Sequence, residues 1–235
     1  MAKEFYDVSH KTYFNARIKP VFFQGKEMHP LYVQVTYDRR TIFFKSYYFG
    51  LFAQPKYEFL GVTLAQINEL ETRVIDYILA RTGDYFSLDE VSRLYKLLSV
   101  DVLDSFDGSF KIWMGAFFRG EGLSGLAVAI EQVGEGVAGI RLWDDCKRSL
   151  DAAIFARMEE KALAWGNPYM PLATYVRGKN PEGPFCLPVF EWAEEGKRVE
   201  IEFFLDEIYE HWQYDMGQII REVRELLYPE GFGWR

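Results

Sequence analysis

HPLYVQVTYDRRTIFFKSYYFG (29–50) is the stretch on which the fold turns. Within it LYVQVTY (31–37) alternates, Val33 and Val35 on one side and Tyr32, Gln34 and Thr36 on the other, as a strand with one buried face requires. Asp38-Arg39-Arg40 forms a tight turn, and TIFFKSYYFG (41–50) returns as a second strand whose Lys45 is expected to share a face with Arg17, Lys19, Gln34 and Thr36. Upstream, TYFNARIKPVFF (12–23) is β-branched and aromatic, with Arg17 and Lys19 flanking Ile18. It reads as a strand that Pro20 bends or confines to an edge. QGKEMHP (24–30) supplies the loop, so the three strands form an antiparallel meander.

Past Gln54-Pro55 the period changes from two to 3.6, because Leu64, Ile67, Leu70, Val74 and Ile78 recur at three- and four-residue steps. Thr63 with Gln66 forms a capping box and Gly83 a stop, then Ser87 with Glu90 opens a second helix with the stripe Val91, Leu94, Tyr95 and Leu98. A short link between two such helices predicts an antiparallel hairpin. Beyond residue 101 the signals weaken. FKIWMGAFF (110–118) fits a buried strand or a short helix, and residues 120–139 have glycines but no firm period. A helix is expected over 141–165, with Leu142, Cys146, Leu150, Ile154 and Met158 on one face and Gly166 and Pro168 at its end. Residues 171–177, 184–192 and 198–204 read as strands. A last helix over about 205–228 carries Leu205, Ile208, Trp212, Met216, Ile219, Val223 and Leu226, with Pro229 as its stop. The expected fold class is α+β, in two domains, 1–100 and 101–235.

Hydrophobic residues at 49% and charged residues at 26% are ordinary globular usage, which argues against disorder, and aromatics at 17% supply large buried areas. No apolar run approaches the roughly 18 residues of a membrane span, and MAKEFYDVSHK lacks a signal-peptide pattern. Cys146 and Cys186 form no CxxC pair, which excludes a thiolate zinc site and a disulfide framework. A cytoplasmic protein with no membrane partner is expected. The net charge of −8 opposes phosphate binding by the chain as a whole, but residues 1–60 carry nine Lys/Arg against five Asp/Glu, a local +4 that leaves −12 for the remainder.

HPLYVQVTYDRRTIFFKSYYFG (29–50) and QPKYEFLGVTLAQINELETRVIDYILARTGDYFSLDEV (54–91), with the phrase Phe86-Ser87-Leu88-Asp89-Glu90, resemble the N-terminal region of Bacteroidetes-type tyrosine recombinases of the phage integrase family. The resemblance covers residues of about 11–100. It implies an arm-type DNA-binding sheet, with Gln34, Thr36 and Lys45 toward base edges and Arg17, Lys19, Arg39 and Arg40 toward phosphates. The recombinase's catalytic Arg, His-x-x-Arg and nucleophilic Tyr have no counterpart, since the late His211 is followed by Trp-Gln-Tyr.

No catalytic set, metal site or cofactor motif stands out. Asp101, Asp104 and Asp107 lack EF-hand spacing and read as loop acids, and His10, His29 and His211 are dispersed. Gly120, Gly122, Gly125, Gly134, Gly136 and Gly139 match no phosphate loop and read as turns. Glu159-Glu160-Lys161, on the polar face of a helix, and Glu195-Gly196-Lys197, at a hairpin-like turn, each satisfy only the acid-x-Lys part of a metal-dependent nuclease signature. The expected function is a non-catalytic DNA-binding or accessory protein of a mobile element or phage-like locus, with double-stranded DNA as partner. The alternative is a protein-interaction module, an inhibitor or immunity-type partner, acting through the acidic aromatic C-terminal region. A nuclease is the third reading.

Overall fold

The alternation of 31–37 is realised as strand β4 (Leu31–Tyr37), which lies between β1 (Ser9–Phe14) and β5 (Arg40–Lys45) in a three-stranded antiparallel sheet of order β1-β4-β5. The computed structural model describes residues 8–82, 86–133, 136–164, 168–208 and 216–227. Lys3, Glu4, Asp7, Gly83, Gly134, Gly166, His211, Trp212 and Pro229 lie outside the described residues. The fold is α+β, and the chain divides into two compact units, residues 1–100 with Pro188–Phe190 and the remainder from Asp101 onward.

In the first unit, the strand expected over 12–23 is cut in two. The Asn15 side chain accepts the Arg17 N–H at 3.1 Å and its carbonyl accepts the Ile18 N–H at 3.1 Å, so the chain turns after Phe14. Val21–Phe23 then forms β2, which pairs with β3 (Lys26–Met28) across Gln24-Gly25. Much of the expected loop 24–30 is therefore a hairpin, because φ is positive at both Gln24 (49°) and Gly25 (73°), the pattern of a type I′ turn. The stretch expected as strand to residue 50 ends at Lys45. Ser46 Oγ accepts the Phe49 N–H at 2.9 Å and starts helix α1 (Tyr47–Phe52).

A 3-10 turn over Pro55–Leu60 leads to α2 (Leu64–Thr82), and α3 (Leu88–Leu98) follows. The Thr63–Gln66 box is complete, with Thr63 N–H on Gln66 Oε1 at 2.8 Å and Gln66 N–H on Thr63 Oγ1 at 3.3 Å. At α3 the box is half made. Ser87 Oγ takes the Glu90 N–H, while the Glu90 carboxylate pairs with Arg93. Ile67, Leu70, Val74 and Ile78 bury their stripe as the 3.6 period predicts, together with Val91, Tyr95 and Leu98. Glu71 near the start of α2 bonds Tyr95 near the end of α3, so the two helices run antiparallel.

The second unit is helical where strands were expected. FKIWMGAFF lies inside the 19-residue helix α4 (Val102–Gly120), which packs against α5 (Ser124–Val133), α6 (Gly139–Ser149), α8 (Tyr169–Lys179) and α11 (Met216–Leu227). α4 keeps an exposed edge at Gly108, Ser109, Ile112, Ala116 and Arg119, but Ile112 and Ala116 on that edge are apolar, which blurs the periodic contrast that identifies helices in sequence. Residues 171–177 belong to α8, whose Pro171 sits in the first turn, where no intrahelical N–H is required. Of the expected strand 184–192 only Val189–Trp192 is regular, as the short helix α9, and 198–204 lies in α10 (Glu195–Ile208). Leu205 and Ile208 end α10, while Met216, Ile219 and Val223 belong to α11. The expected helix 141–165 is α6 plus α7 (Ala152–Ala164), separated where Asp151 Oδ1 accepts the Ala153 N–H at 2.9 Å and caps the second helix. Glycines 120–139 do not all mark turns, since Gly125 lies inside α5.

The three acids read as loop residues do structural work on α4. Asp101 is its N-cap, taking the N–H groups of Leu103 and Asp104, and also the Leu187 N–H at 2.8 Å. Complete burial pushes its carboxyl up to about 7 against the pull of these amides. Asp104 lies in the first turn, and Asp107, buried beside Lys111 at 2.8 Å, accepts the Gly139 N–H that opens α6. A Cβ at Gly139 would lie 2.8 Å from Phe110 Cδ1 and 3.1 Å from Asp107 Oδ1, so the residue must be small. We expect Asp101→Ala to lower the unfolding free energy by about 2–4 kcal/mol, one missing cap plus a buried amide left unsatisfied, as read by urea denaturation. A loss below about 0.5 kcal/mol would contradict that role.

Candidate nucleic-acid interface

Register assigns every sheet side chain to a face. Lys11, Gln34 and Phe43 are cross-strand partners, as are Ser9, Thr36 and Thr41, and Tyr13, Tyr32 and Lys45. These nine residues form a single face, on which Lys11, Thr41, Phe43 and Lys45 are exposed and Tyr13, Tyr32, Gln34 and Thr36 half-buried. The opposite face holds Leu31, Val33 and Val35, each under 4% exposed. Helices α2 and α3 cover it: His10 bonds Asp76 at 3.0 Å, Thr12 bonds Asn68 at 2.8 Å, and the Phe44 ring lies 4.2 Å from that of Tyr95.

Three of the seven residues expected at a DNA interface, Gln34, Thr36 and Lys45, meet on the open face. Arg39 is at the hairpin tip. Tyr37 and Arg40 close a two-residue loop in which Asp38 and Arg39 both have positive φ, 46° and 60°, the type I′ geometry that strands of right-handed twist favour and that normally selects Asn-Gly. Arg40 alternates with Thr41 and so falls on the helix-covered side, at its exposed end. Arg17 and Lys19 are exposed in the connection between β1 and β2, not in the sheet, which corrects the expectation that they share a face with Lys45. Sequence reasoning placed Tyr32 on this face but missed Lys11, Tyr13, Thr41 and Phe43. Alternation carried through β1 and β5 in register with β4 would have found them.

The face is basic at its margins and polar and aromatic within. Lys11 and Lys45 lie on the two outer strands, which are about 10 Å apart, and are offset from each other by two residues along them. The Tyr13 ring lies 6.1 Å from both Tyr32 and Phe43, edge-on to the latter. Thr36 Oγ1 shares a hydrogen bond with Thr41 Oγ1 at 3.0 Å and accepts one from Gln34 Nε2 at 3.4 Å. Such a surface offers cations to phosphates on either side of a groove about 12 Å wide and an amide and hydroxyls to base edges.

Its support is a buried acid. Glu71 accepts hydrogen bonds from Ser46 Oγ at 2.6 Å, from Tyr95 Oη at 2.8 Å and from the Tyr48 N–H at 3.4 Å, and Tyr95 Oη accepts the Tyr47 N–H at 2.8 Å. Burial pushes the Glu71 carboxyl up to about 7, and burial with the Glu71 charge pushes the Tyr95 phenol well above its usual range.

Among the described residues no three His, Cys, Asp or Glu side chains converge as metal ligands would. Glu159-Glu160-Lys161 lies exposed along α7, and Glu195-Gly196-Lys197 is the first turn of α10 rather than a hairpin turn. No described helix is long and apolar enough to cross a membrane. Fold and face thus define a protein with an open basic-aromatic sheet on a helical support. No protein-family model matches the chain, and no curated protein or solved structure matches it.

The folded carboxyl of Glu71 at about 7 lies above its unfolded value of 4.5, so the folded state holds the proton more tightly. Its contribution to stability is full below the unfolded value, declines as pH rises through the window between the two, and is then lost, a fall of about 3 kcal/mol. In Glu71→Gln the Glu71 share of the decline disappears and that of Asp101 remains, so urea melts from pH ~5 to ~8 will show a shallower loss than in the parent chain. Glu71→Ala is less stable than the Gln variant throughout.

Proposed function

We propose that this chain is a non-catalytic DNA-binding or accessory protein of a mobile element or phage-like locus, working in the cytoplasm and contacting duplex DNA through the open face of β1-β4-β5. The observation that carries the reading is the arrangement of that face, one Lys on each outer strand, Gln34 on the strand between them, and the Thr36–Thr41 pair at the end of the face away from Lys45. Arg39 at the hairpin tip extends the basic margin, and its left-handed backbone supports a functional demand at that position. A glycine there would relieve about 1 kcal/mol of strain. The resemblance of residues 29–50 and 54–91 to a recombinase arm-binding region supports the same surface.

Charge shapes how such binding behaves. Residues 1–100 carry thirteen Lys/Arg against eleven Asp/Glu, whereas 101–235 carry fourteen against twenty-four. An acidic second unit repels phosphate, so affinity rests on few local interactions and falls with salt.

In Lys11→Ala/Arg39→Ala/Lys45→Ala, duplex affinity falls and the slope of log K against log salt becomes shallower by about 2–3, roughly 0.9 for each phosphate that is no longer neutralised. Arg40→Ala, on the other side of the sheet, has a smaller effect. Unchanged affinity and slope in the triple variant would falsify the reading, as would binding to single strands in preference to duplex. Arg39→Gly separates function from stability. It is expected to raise stability by about 0.5–1 kcal/mol while weakening duplex binding.

A second reading, a protein-interaction module of inhibitor or immunity type, draws on α10. There Phe203 is 67% exposed and Val199 43%, beside exposed Glu195, Glu202 and Asp206. This reading predicts a stoichiometric protein complex that Phe203→Ala weakens at least tenfold, as hot-spot aromatics do at about 2 kcal/mol or more, with no retention on heparin.

A further inference from the structure

Gln34 and Phe43 are cross-strand partners on the open face, which puts their side chains side by side at about 5 Å between Cβ atoms. Gln34 Nε2 donates one N–H to Thr36 Oγ1 at 3.4 Å, and Thr36 is tied to Thr41 Oγ1 at 3.0 Å. A primary amide has two N–H groups and an accepting oxygen. With one N–H directed at Thr36, Gln34 is left with a donor and an acceptor on one planar group. Phe43 offers no hydrogen bond, is 56% exposed, and is braced edge-on by the Tyr13 ring at 6.1 Å. Lys11, the other cross-strand neighbour of Gln34, is a long exposed cation on an outer strand, placed for the phosphate backbone.

In the major groove adenine shows an acceptor, N7, beside a donor, the N6 amine, and its partner thymine adds a methyl group. That sequence of donor, acceptor and apolar group is the complement of Gln34 beside Phe43. We propose that Gln34 and Phe43 together read an A·T base pair, the amide on the adenine edge and the ring against the thymine methyl. The proposal rests on the duplex-binding reading of the open face and adds its base preference. A G·C pair is disfavoured at both positions. Guanine presents two acceptors, so the Gln34 oxygen would face O6, and cytosine carries only a hydrogen at C5 where thymine has its methyl, so the Phe43 ring loses its apolar contact.

The test is fluorescence anisotropy of the full chain with labelled duplexes of alternating A·T pairs, of alternating G·C pairs, and of A·T pairs with every thymine replaced by uracil. The A·T duplex is expected to bind about 5- to 100-fold tighter than the G·C duplex, the range of one good base contact. Uracil, which lacks the methyl, is expected to weaken binding about fourfold. Phe43→Ala removes the thymine–uracil difference, and Gln34→Ala shrinks the A·T preference without changing the salt slope. Because the uracil exchange alters only the DNA, it tests the methyl contact even if a variant misfolds. Equal affinity for the three duplexes overturns the base reading and leaves duplex binding standing. Failure to bind any of them overturns both.

Discussion

The first unit depends on one buried carboxylate. Among the described residues no cation pairs with Glu71. Three kinds of donor compensate its burial, a serine hydroxyl, a tyrosine hydroxyl and a backbone amide, and they come from both the start of α1 and from α3. Ser46 follows β5 and caps α1, Tyr48 lies in the first turn of α1, and Tyr95 lies on α3, so one side chain of α2 ties together the end of β5, α1 and α3. A leucine there would bury more apolar surface, yet would leave the Ser46 and Tyr95 hydroxyls without their acceptor. The polar choice fixes where the sheet stops and where the helical support begins.

That fixed point bears on function because β5 is an outer strand of the sheet and carries Lys45 at its last position, next to Ser46. Any slip of β5 by one residue would turn Phe43 and Lys45 onto the helices and Phe44 out to solvent. Glu71 holding Ser46 at one end and the type I′ turn at Asp38-Arg39 holding the other pin the register between them. The open face is thus the product of two constraints, a buried hydrogen-bond network and a left-handed backbone conformation that Asp38 tolerates and Arg39 disfavours.

Much of the first unit was legible in the chain. Val33 and Val35 opposite Gln34 and Thr36 are an alternation that only a strand buries cleanly, and Thr63 with Gln66 is a cap that forms as written. What escaped was decided by single polar side chains. Asn15 bends the chain where a strand was expected to continue, and Ser46 starts a helix inside an apolar aromatic run. Arg17 and Lys19 were misplaced for the first of these reasons. The second unit was hard to read for a different one. α4 leaves the apolar Ile112 on its exposed edge, and in α10 the alternation Val199, Ile201, Phe203 imitates a strand while Ile201 and Leu205 are the residues that face the core. A helix that leaves large apolar residues exposed carries a misleading period.

The proposed contact with duplex DNA is tested most directly by mapping which residues respond to it. Amide chemical shifts followed during titration of the full chain with an A·T-rich duplex should change along β1, β4 and β5, around Lys11, Gln34, Phe43 and Lys45 and through the Asp38-Arg39 turn. Shifts confined to residues of the second unit, or to α2 and α3 beneath the sheet, would contradict it.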